Sequence, residues 1–290
     1  MYNKILVPLD GSNFAEQVLP YAQVFADAHR APVELLRITD PGARHNFWPS
    51  QPGGQYLEEI AKKRFRDSVH VTTAAASGRP AEVIVDHAKD DPTCLIAMAT
   101  HGLSGPRRWL IGSVAAKVIQ TAANPLLLIR PVEGADSAAP VKLDTIFVPL
   151  DGSGLAEITL PHVCALAKTI VKIEVHLVRV YTLPVDAYVA ANGVIAQGPA
   201  DYREELKREA EAYLDGKVAG LRAEGFDRVV ATAIQGDVAS EIIDLALSTP
   251  NNLVAMSTHG RSGIGRWVLG SVAERVIQHS RDPVLLIRVG

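Results

Sequence analysis

The chain has 290 residues, 48% of them hydrophobic and 21% charged, a balance that supports packed cores and excludes an intrinsically disordered protein. At ~100–200 residues per domain this length predicts two units, each large enough to fold without disulfides or a structural metal. Lys and Arg number 29 against 32 Asp and Glu, a net charge of −3, and no basic excess marks a nucleic-acid surface.

Met1–Val7 runs directly into a strand pattern without the charged and apolar regions of a signal peptide. No apolar run reaches the ~18 residues of a membrane span. A cytoplasmic protein with no membrane partner is expected. Ile5–Leu9 reads as a short apolar strand stopped by Asp10-Gly11-Ser12. Phe14–His29 follows as one helix, with Ala15, Val18, Leu19, Ala22, Phe25 and Ala26 on a common face. Val33–Thr39 is a strand, Tyr56–Arg66 a helix, Val69–Ala75 a strand and Ala81–Lys89 a helix. Cys94–Ala99 is a fully apolar strand, Ser113–Ala122 a helix and Leu126–Ile129 a last strand. Cys94 and Cys164 have no CxxC spacing and read as buried reduced thiols.

The same order then repeats. KILVPLDGS, from Lys4, returns as TIFVPLDGS, from Thr145. Residues 77–130 align with 235–288 at a constant offset of 158, and 28 of those 54 pairs are identical. The offset is 141 at Asp10/Asp151 and 142 at Ile38/Val180, so the second copy carries about 16 more residues in its middle. There, residues 201–224 read as a long helix with Leu206, Ala210, Tyr213, Leu214 and Leu221 on one side. Residues 131–140 are small and proline-bounded, as a linker would be. The expected organisation is a first domain over 1–131, a linker over 132–142 and a second domain over 143–290. Short apolar strands alternating with helices predict a doubly wound α/β fold in each copy, a five-stranded parallel sheet with helices on both faces.

In such sheets a ligand sits beyond the carboxyl ends of the strands, where the strand order switches. The loops at that place are duplicated: Pro8-Leu9-Asp10-Gly11-Ser12 with Pro149-Leu150-Asp151-Gly152-Ser153, and Thr100-His101-Gly102 with Thr258-His259-Gly260. Each second loop ends at a helix opened by Gly112-Ser113 or Gly270-Ser271. A helix start of that kind presents unpaired N–H groups and favours an anion such as phosphate. Gly102 is free to take a positive φ and turn N–H groups the same way. Arg107, Arg108 and Arg266 would add positive charge, and Asp10 is placed to accept from a sugar hydroxyl or a base amine. Taken singly, these residues read as caps and turns; their recurrence at one spacing favours the ligand. His101 and His259 read as loop-stabilising groups, Trp109 and Trp267 as packing anchors. No GxSxG, GxxxxGK[ST], HExxH or regular GxGxxG pattern occurs, and no nucleophile–base or carboxylate pair can be assigned, so no enzyme is expected.

On these residues both halves resemble universal stress protein domains, over essentially their whole length apart from the linker and the mid-domain insertion. That family's signature is Gly, two residues, Gly, nine residues, then Gly–Ser or Gly–Thr. Gly102 with Gly112-Ser113 and Gly260 with Gly270-Ser271 fit its second part, while Ala99 and Ser257 stand at the first glycine. The resemblance implies a Rossmann-like fold of the adenine nucleotide alpha hydrolase type that binds ATP, with Mg2+. It places adenine against Pro8 and Ile38 with Asp10 near the nucleoside. Met98, Ala99, Thr100, His101, Gly102 and Leu103 would flank the ribose and phosphates, and Gly112, Ser113 and Val114 would hold the phosphates. The second pocket would use Pro149, Asp151, Val180, Met256, Ser257, Thr258, His259, Gly260, Arg261, Gly270, Ser271 and Val272. The final strands, Leu126–Ile129 and Val284–Ile287, are apolar throughout and would leave an open sheet edge. The resemblance supports pairing of the two domains through them; self-association of the whole chain into a homodimer is a further expectation. The leading reading is an ATP-binding stress sensor or regulator; a non-nucleotide interaction module and a slow ATP hydrolase are the alternatives.

Overall fold

The computed structural model describes residues 2–42, 53–102, 111–170, 172–183, 200–258 and 269–288. In the first half the chain forms β1 (Lys4–Leu9), α1 (Asn13–Glu16), α2 (Leu19–His29), β2 (Val33–Thr39), α3 (Gly53–Arg64), β3 (Val71–Ser77), α4 (Pro80–Ala88), β4 (Cys94–Ala99), α5 (Ser113–Thr121) and β5 (Leu126–Ile129). The second half forms β6 (Thr145–Pro149), α6 (Gly154–Glu157), α7 (Thr159–Ala167), β7 (Glu174–Tyr181), α8 (Ala200–Ala223), β8 (Val229–Gln235), α9 (Val238–Ser248), β9 (Asn252–Ser257), α10 (Ser271–His279) and β10 (Val284–Ile287). The mid-chain insertion lies partly in a helix, since α8 has 24 residues where α3 has 12.

One expected element divides in both copies. The first helix breaks into α1 and α2, and its counterpart into α6 and α7. Pro20 and Pro161 explain the break: proline has no N–H to give the carbonyl four residues back, and its ring crowds that carbonyl. The chain tightens just before it, with Gln17 N–H on Phe14 O and Val18 N–H on Ala15 O, both at 3.3 Å. Pro20 then sits in the first turn of a new helix, where no donor is required.

The ten strands form one sheet in the order β3-β2-β1-β4-β5-β10-β9-β6-β7-β8. Every pairing is parallel except β5 with β10, which run antiparallel with Val284 opposite Leu128 and Leu286 opposite Leu126. The inner strands β4, β5 and β10 are apolar and buried throughout because both faces are covered, whereas the edge strands β3 and β8 carry polar residues and are partly exposed. On one face Ile5, Val7 and Leu35 pack with Val18, Phe25 and Leu57 from α1–α3 and the turn between them. On the other, Leu6, Leu36 and Ile96 pack with Ile84, Val118 and Ile119 from α4 and α5. β1 lies between β2 and β4, so the connections leaving β1 and β4 diverge and open a crevice at their carboxyl ends. β6 and β9 do the same in the second half.

The segment between the halves is tied down. Gln17 accepts from Val132 N–H at 2.8 Å and donates to Val132 O at 2.9 Å. Asn13 donates to Ala135 O, and Arg64 to Ser137 Oγ at 2.9 Å. Among the described residues no helix is long and apolar enough to cross a membrane.

Candidate functional site

A cavity of about 250 Å³ occupies the crevice of the first half. Pro8, Asp10, Ile38, Met98, Ala99, Thr100, His101, Gly102, Gly112, Ser113 and Val114 all line it. Leu103 lies outside the described residues, as do Arg107, Arg108 and Trp109. Pro80 and Ile84 of α4 add an apolar wall that sequence reasoning missed. The available signal was the glycine just before each helix, Gly78 and Gly236, which belongs to the duplicated stretch.

Asp10 is fixed by the turn that follows it. Its Oδ1 accepts from Ser12 N–H at 2.9 Å and Ser12 Oγ–H at 2.6 Å, while Ser12 Oγ accepts from Ala15 N–H at 3.1 Å and caps α1. Gly11 makes this possible with φ +85°. Oδ2 is packed against Gly102 so closely that a Cβ there would stand 2.0 Å from it. Gly102 is therefore required by the approach of Asp10, not by a left-handed backbone, since it has no positive φ. Gly112 is close-packed in the same way: its N–H donates to Thr100 O at 2.8 Å, and a Cβ would lie 3.0 Å from that oxygen. Ala99 and Ser257 carry no positive φ either, so a side chain at the first signature position imposes no strain.

The start of α5 is capped by Gly112 without a side-chain hydrogen bond. The first-turn residues Ser113, Val114 and Ala115 line the cavity, and Ser113 is exposed. A helix start with no side chain across its N–H groups is suited to a bound anion. His101 is buried, with Nδ1 3.0 Å from Thr100 Oγ1, the loop-holding arrangement its sequence context predicts.

The second half repeats the geometry around a smaller cavity of about 110 Å³. Pro149, Asp151, Val180, Met256, Ser257, Thr258 and Val272 line it. Gly270, the cap of α10, donates to Thr258 O at 2.9 Å, with Ser271 opening the helix beside the cavity rather than in its lining. Ser153 N–H and Oγ–H bond Asp151 Oδ1 at 2.9 and 2.6 Å, matching Asp10. His259, Gly260, Arg261, Arg266 and Trp267 lie outside the described residues. A roomier cavity of about 440 Å³ lies between α2, the end of α3 and the connecting segment. None of the residues of the strand-end loops lines it, so size alone does not mark the site.

A duplicated polar cluster supports each Asp loop, and sequence reasoning missed it. Tyr56 OH donates to Glu16 Oε1 at 3.0 Å, Arg64 to Glu16 Oε2 at 3.0 Å, and the buried Arg37 guanidinium lies 5.1 Å from the Tyr56 ring centre. In the second half Tyr213 donates to Glu157 at 2.9 Å, Lys217 pairs with Glu157 at 2.6 Å and Arg179 lies 4.7 Å from the Tyr213 ring. Burial lowers the Arg37 pKa, opposed by the negative charge of Asp10; burial and Glu16 push the Tyr56 hydroxyl well up. Burial would raise Glu157, but hydrogen bonds from Lys217 and Tyr213 hold it below the ordinary range. Glu16 and Glu157 sit on α1 and α6, the short helices capped by the serines that hold Asp10 and Asp151. Each cluster therefore anchors a site loop from behind. The legible trace was an arginine recurring at the corresponding place in the second strand of each copy, in VELLRIT and EVHLVRVY.

The profile of the Universal stress protein family matches residues 1–130 and 142–288. The chain is 24% identical over 302 residues to a universal stress protein of Mycolicibacterium smegmatis, covering 98% of this chain and 96% of that one. It is 25% identical over 309 residues to universal stress protein MT2698 of Mycobacterium tuberculosis, again with 98% and 96% covered. Among solved structures, a universal stress protein from Archaeoglobus fulgidus aligns with a TM-score of 0.69 at 20% identity, over 100% of this chain and 97% of that one. At that identity the likeness is one of fold.

Proposed function

This chain belongs to the universal stress protein family, with one match in each half, and from that premise we propose that it binds ATP at the carboxyl edge of each half-sheet and acts as a stress-response sensor or regulator. The observation that carries the reading is the duplicated juxtaposition of a turn-locked aspartate with a helix start capped by glycine. A nucleoside needs an apolar wall and an acceptor; Pro8, Ile38 and Asp10 supply them, as do Pro149, Val180 and Asp151. Phosphates need close backbone approach and N–H donors, which Gly102, Gly112, Ser113 and Val114 offer in the first half. In the second half the helix start at Gly270, Ser271 and Val272 corresponds to that of the first, and Gly260 and Arg261, outside the described residues, are assigned to the phosphates by the resemblance alone. No group of three or more metal-ligating side chains occurs among the described residues. Magnesium would accordingly arrive with the triphosphate and be held by phosphate oxygens and water.

In the same reading residues 1–131 and 143–290 are the two nucleotide-binding domains. They work as a pseudo-two-fold pair through Leu126–Ile129 and Val284–Ile287, in a cytoplasmic homodimer. Binding, not turnover, is the proposed activity. Calorimetric titration with Mg–ATP should give up to two sites per chain. Gly112→Val with Gly270→Val should abolish both, by filling the space against Thr100 O and its counterpart. A double variant that binds like the parent would overturn the assignment.

A further inference from the structure

The two proposed sites are cross-connected by the arginines that end each half. Arg288, just after β10, donates to Ile119 O at 2.9 Å and Gln120 O at 3.0 Å in the last turn of α5. Arg130, just after β5, donates to Gln278 O in the last turn of α10. Each arginine thus caps a helix belonging to the other half, where a cation satisfies orphan carbonyls and complements the negative end of the helix dipole. Both are half-buried, and burial lowers both pKa values from the ordinary arginine range.

The opposite ends of these same helices are the phosphate-facing starts. α5 begins at the first cavity and α10 beside the second, and nine residues of helix span only ~14 Å. The residue before each arginine completes the connection. Ile129 O accepts from Thr100 N–H at 2.8 Å, and Ile287 O accepts from Thr258 N–H at 2.9 Å. Thr100 and Thr258 line the two cavities. Arg130 therefore joins the strand end of the first site to the helix of the second, and Arg288 does the reverse. Both links cross the β5–β10 junction.

We infer that nucleotide occupancy at one site is transmitted to the other through Arg130 and Arg288, with positive cooperativity between the two halves of one chain. The inference rests on the proposed nucleotide reading. Phosphates at the start of α5 order its first turn and, through so short a helix, its last carbonyls. Those carbonyls hold Arg288, and the adjoining Ile287 carbonyl holds Thr258 in the second site. Ordering that the first ligand has already imposed is not required again of the second, so the second binds more tightly. Linkage makes the effect equal in both directions.

The test compares Mg–ATP titrations of the parent chain with those of Gly112→Val and Gly270→Val, in each of which one site is left. The parent should show a second binding step about fivefold or more tighter than the intact site of either single-site variant. Arg130→Gln with Arg288→Gln should equalise the steps and leave the single-site affinities unchanged, because neither arginine lines a cavity. Arg288→Lys, which keeps charge but loses the two-carbonyl fork, should restore part of the coupling. Two independent sites in the parent would overturn the inference while leaving nucleotide binding intact, and so would undiminished coupling in the double arginine variant. A parent chain that binds no ATP would overturn both readings.

Discussion

Gly102→Ala isolates the contact on which the first site is built. The new Cβ would stand 2.0 Å from Asp10 Oδ2 and 3.0 Å from Asp10 Cγ, where ordinary contact starts at 3.4 Å. Asp10 must swing aside by more than an ångström, yet its other oxygen is held at 2.9 and 2.6 Å by Ser12 N–H and Oγ–H. A hydrogen bond to a charged group contributes about 1.5–3 kcal/mol. Asp10 is only partly buried, so water recovers some of that. The expected cost is about 1–3 kcal/mol, reached through the lost Asp10–Ser12 bonds and a loosened cap on α1. With Asp10→Ala in the background no carboxylate remains to be displaced. Gly102→Ala should then be nearly neutral, or stabilising by about 0.4–1 kcal/mol because alanine restricts the unfolded chain. Urea unfolding of the four proteins in a double-mutant cycle measures the difference. A cost as large in the Asp10→Ala background as in the parent would refute the packing argument, and so would Gly102→Ala without cost in the parent.

His29 provides a pH test. Burial lowers its pKa from 6.5 to about 4, and burial lowers His162 beside it as well. Between about 4 and 6.5 the unfolded chain holds more protons than the folded one, so stability complete above pH 6.5 is lost as the pH falls through that window. Melting temperatures measured from pH 7.5 down to 4.5 should fall, and His29→Phe should flatten the slope; an unchanged slope removes His29 as a cause. Tyr56→Phe and Tyr213→Phe each delete a hydroxyl bonded to Glu16 or Glu157 and should cost about 1 kcal/mol in urea unfolding. Their effects should add, since the clusters lie in different halves; neutral variants would deny the clusters an anchoring role. Leu128→Asp with Leu286→Asp places two carboxylates at fully buried positions in β5 and β10. The protein should become insoluble or expand, as read by size-exclusion chromatography. A compact, equally stable double variant would place the meeting of the halves elsewhere.

The sites are built by anchoring from behind. Asp10 and Asp151 are held by the turn that follows them, that turn is the cap of a short helix, and the helix is held by a glutamate in a tyrosine–cation cluster. The fourth member of the cluster differs between the halves. Arg64 lies eight residues beyond Tyr56 on α3, whereas Lys217 lies four beyond Tyr213 on α8. Both positions recur on one helix face, so a positive charge reaches the glutamate from two different turns.

What the sequence by itself determined was whatever depends on near neighbours. Apolar runs such as CLIAMA mark doubly covered strands, Asp-Gly-Ser marks a turn closed by its own side chains, and Gly-Ser marks a helix start. Their repetition revealed the two copies; the family resemblance named twelve residues for the first pocket, of which eleven line one cavity and the twelfth, Leu103, lies outside the described residues. The break at Pro20 was also written there, since proline's missing donor is a local fact. Tertiary structure alone decided that Gly102 serves Asp10 rather than a left-handed turn, because the two are 92 residues apart and meet only when β1 pairs with β4. It decided likewise that Arg37 finds Tyr56, and that Arg288 reaches α5 across the antiparallel junction of β5 and β10. Backbone conformation and hydrophobic period are set within a few residues and survive in a linear reading. The partner of a buried charge is chosen by the closure of the whole sheet.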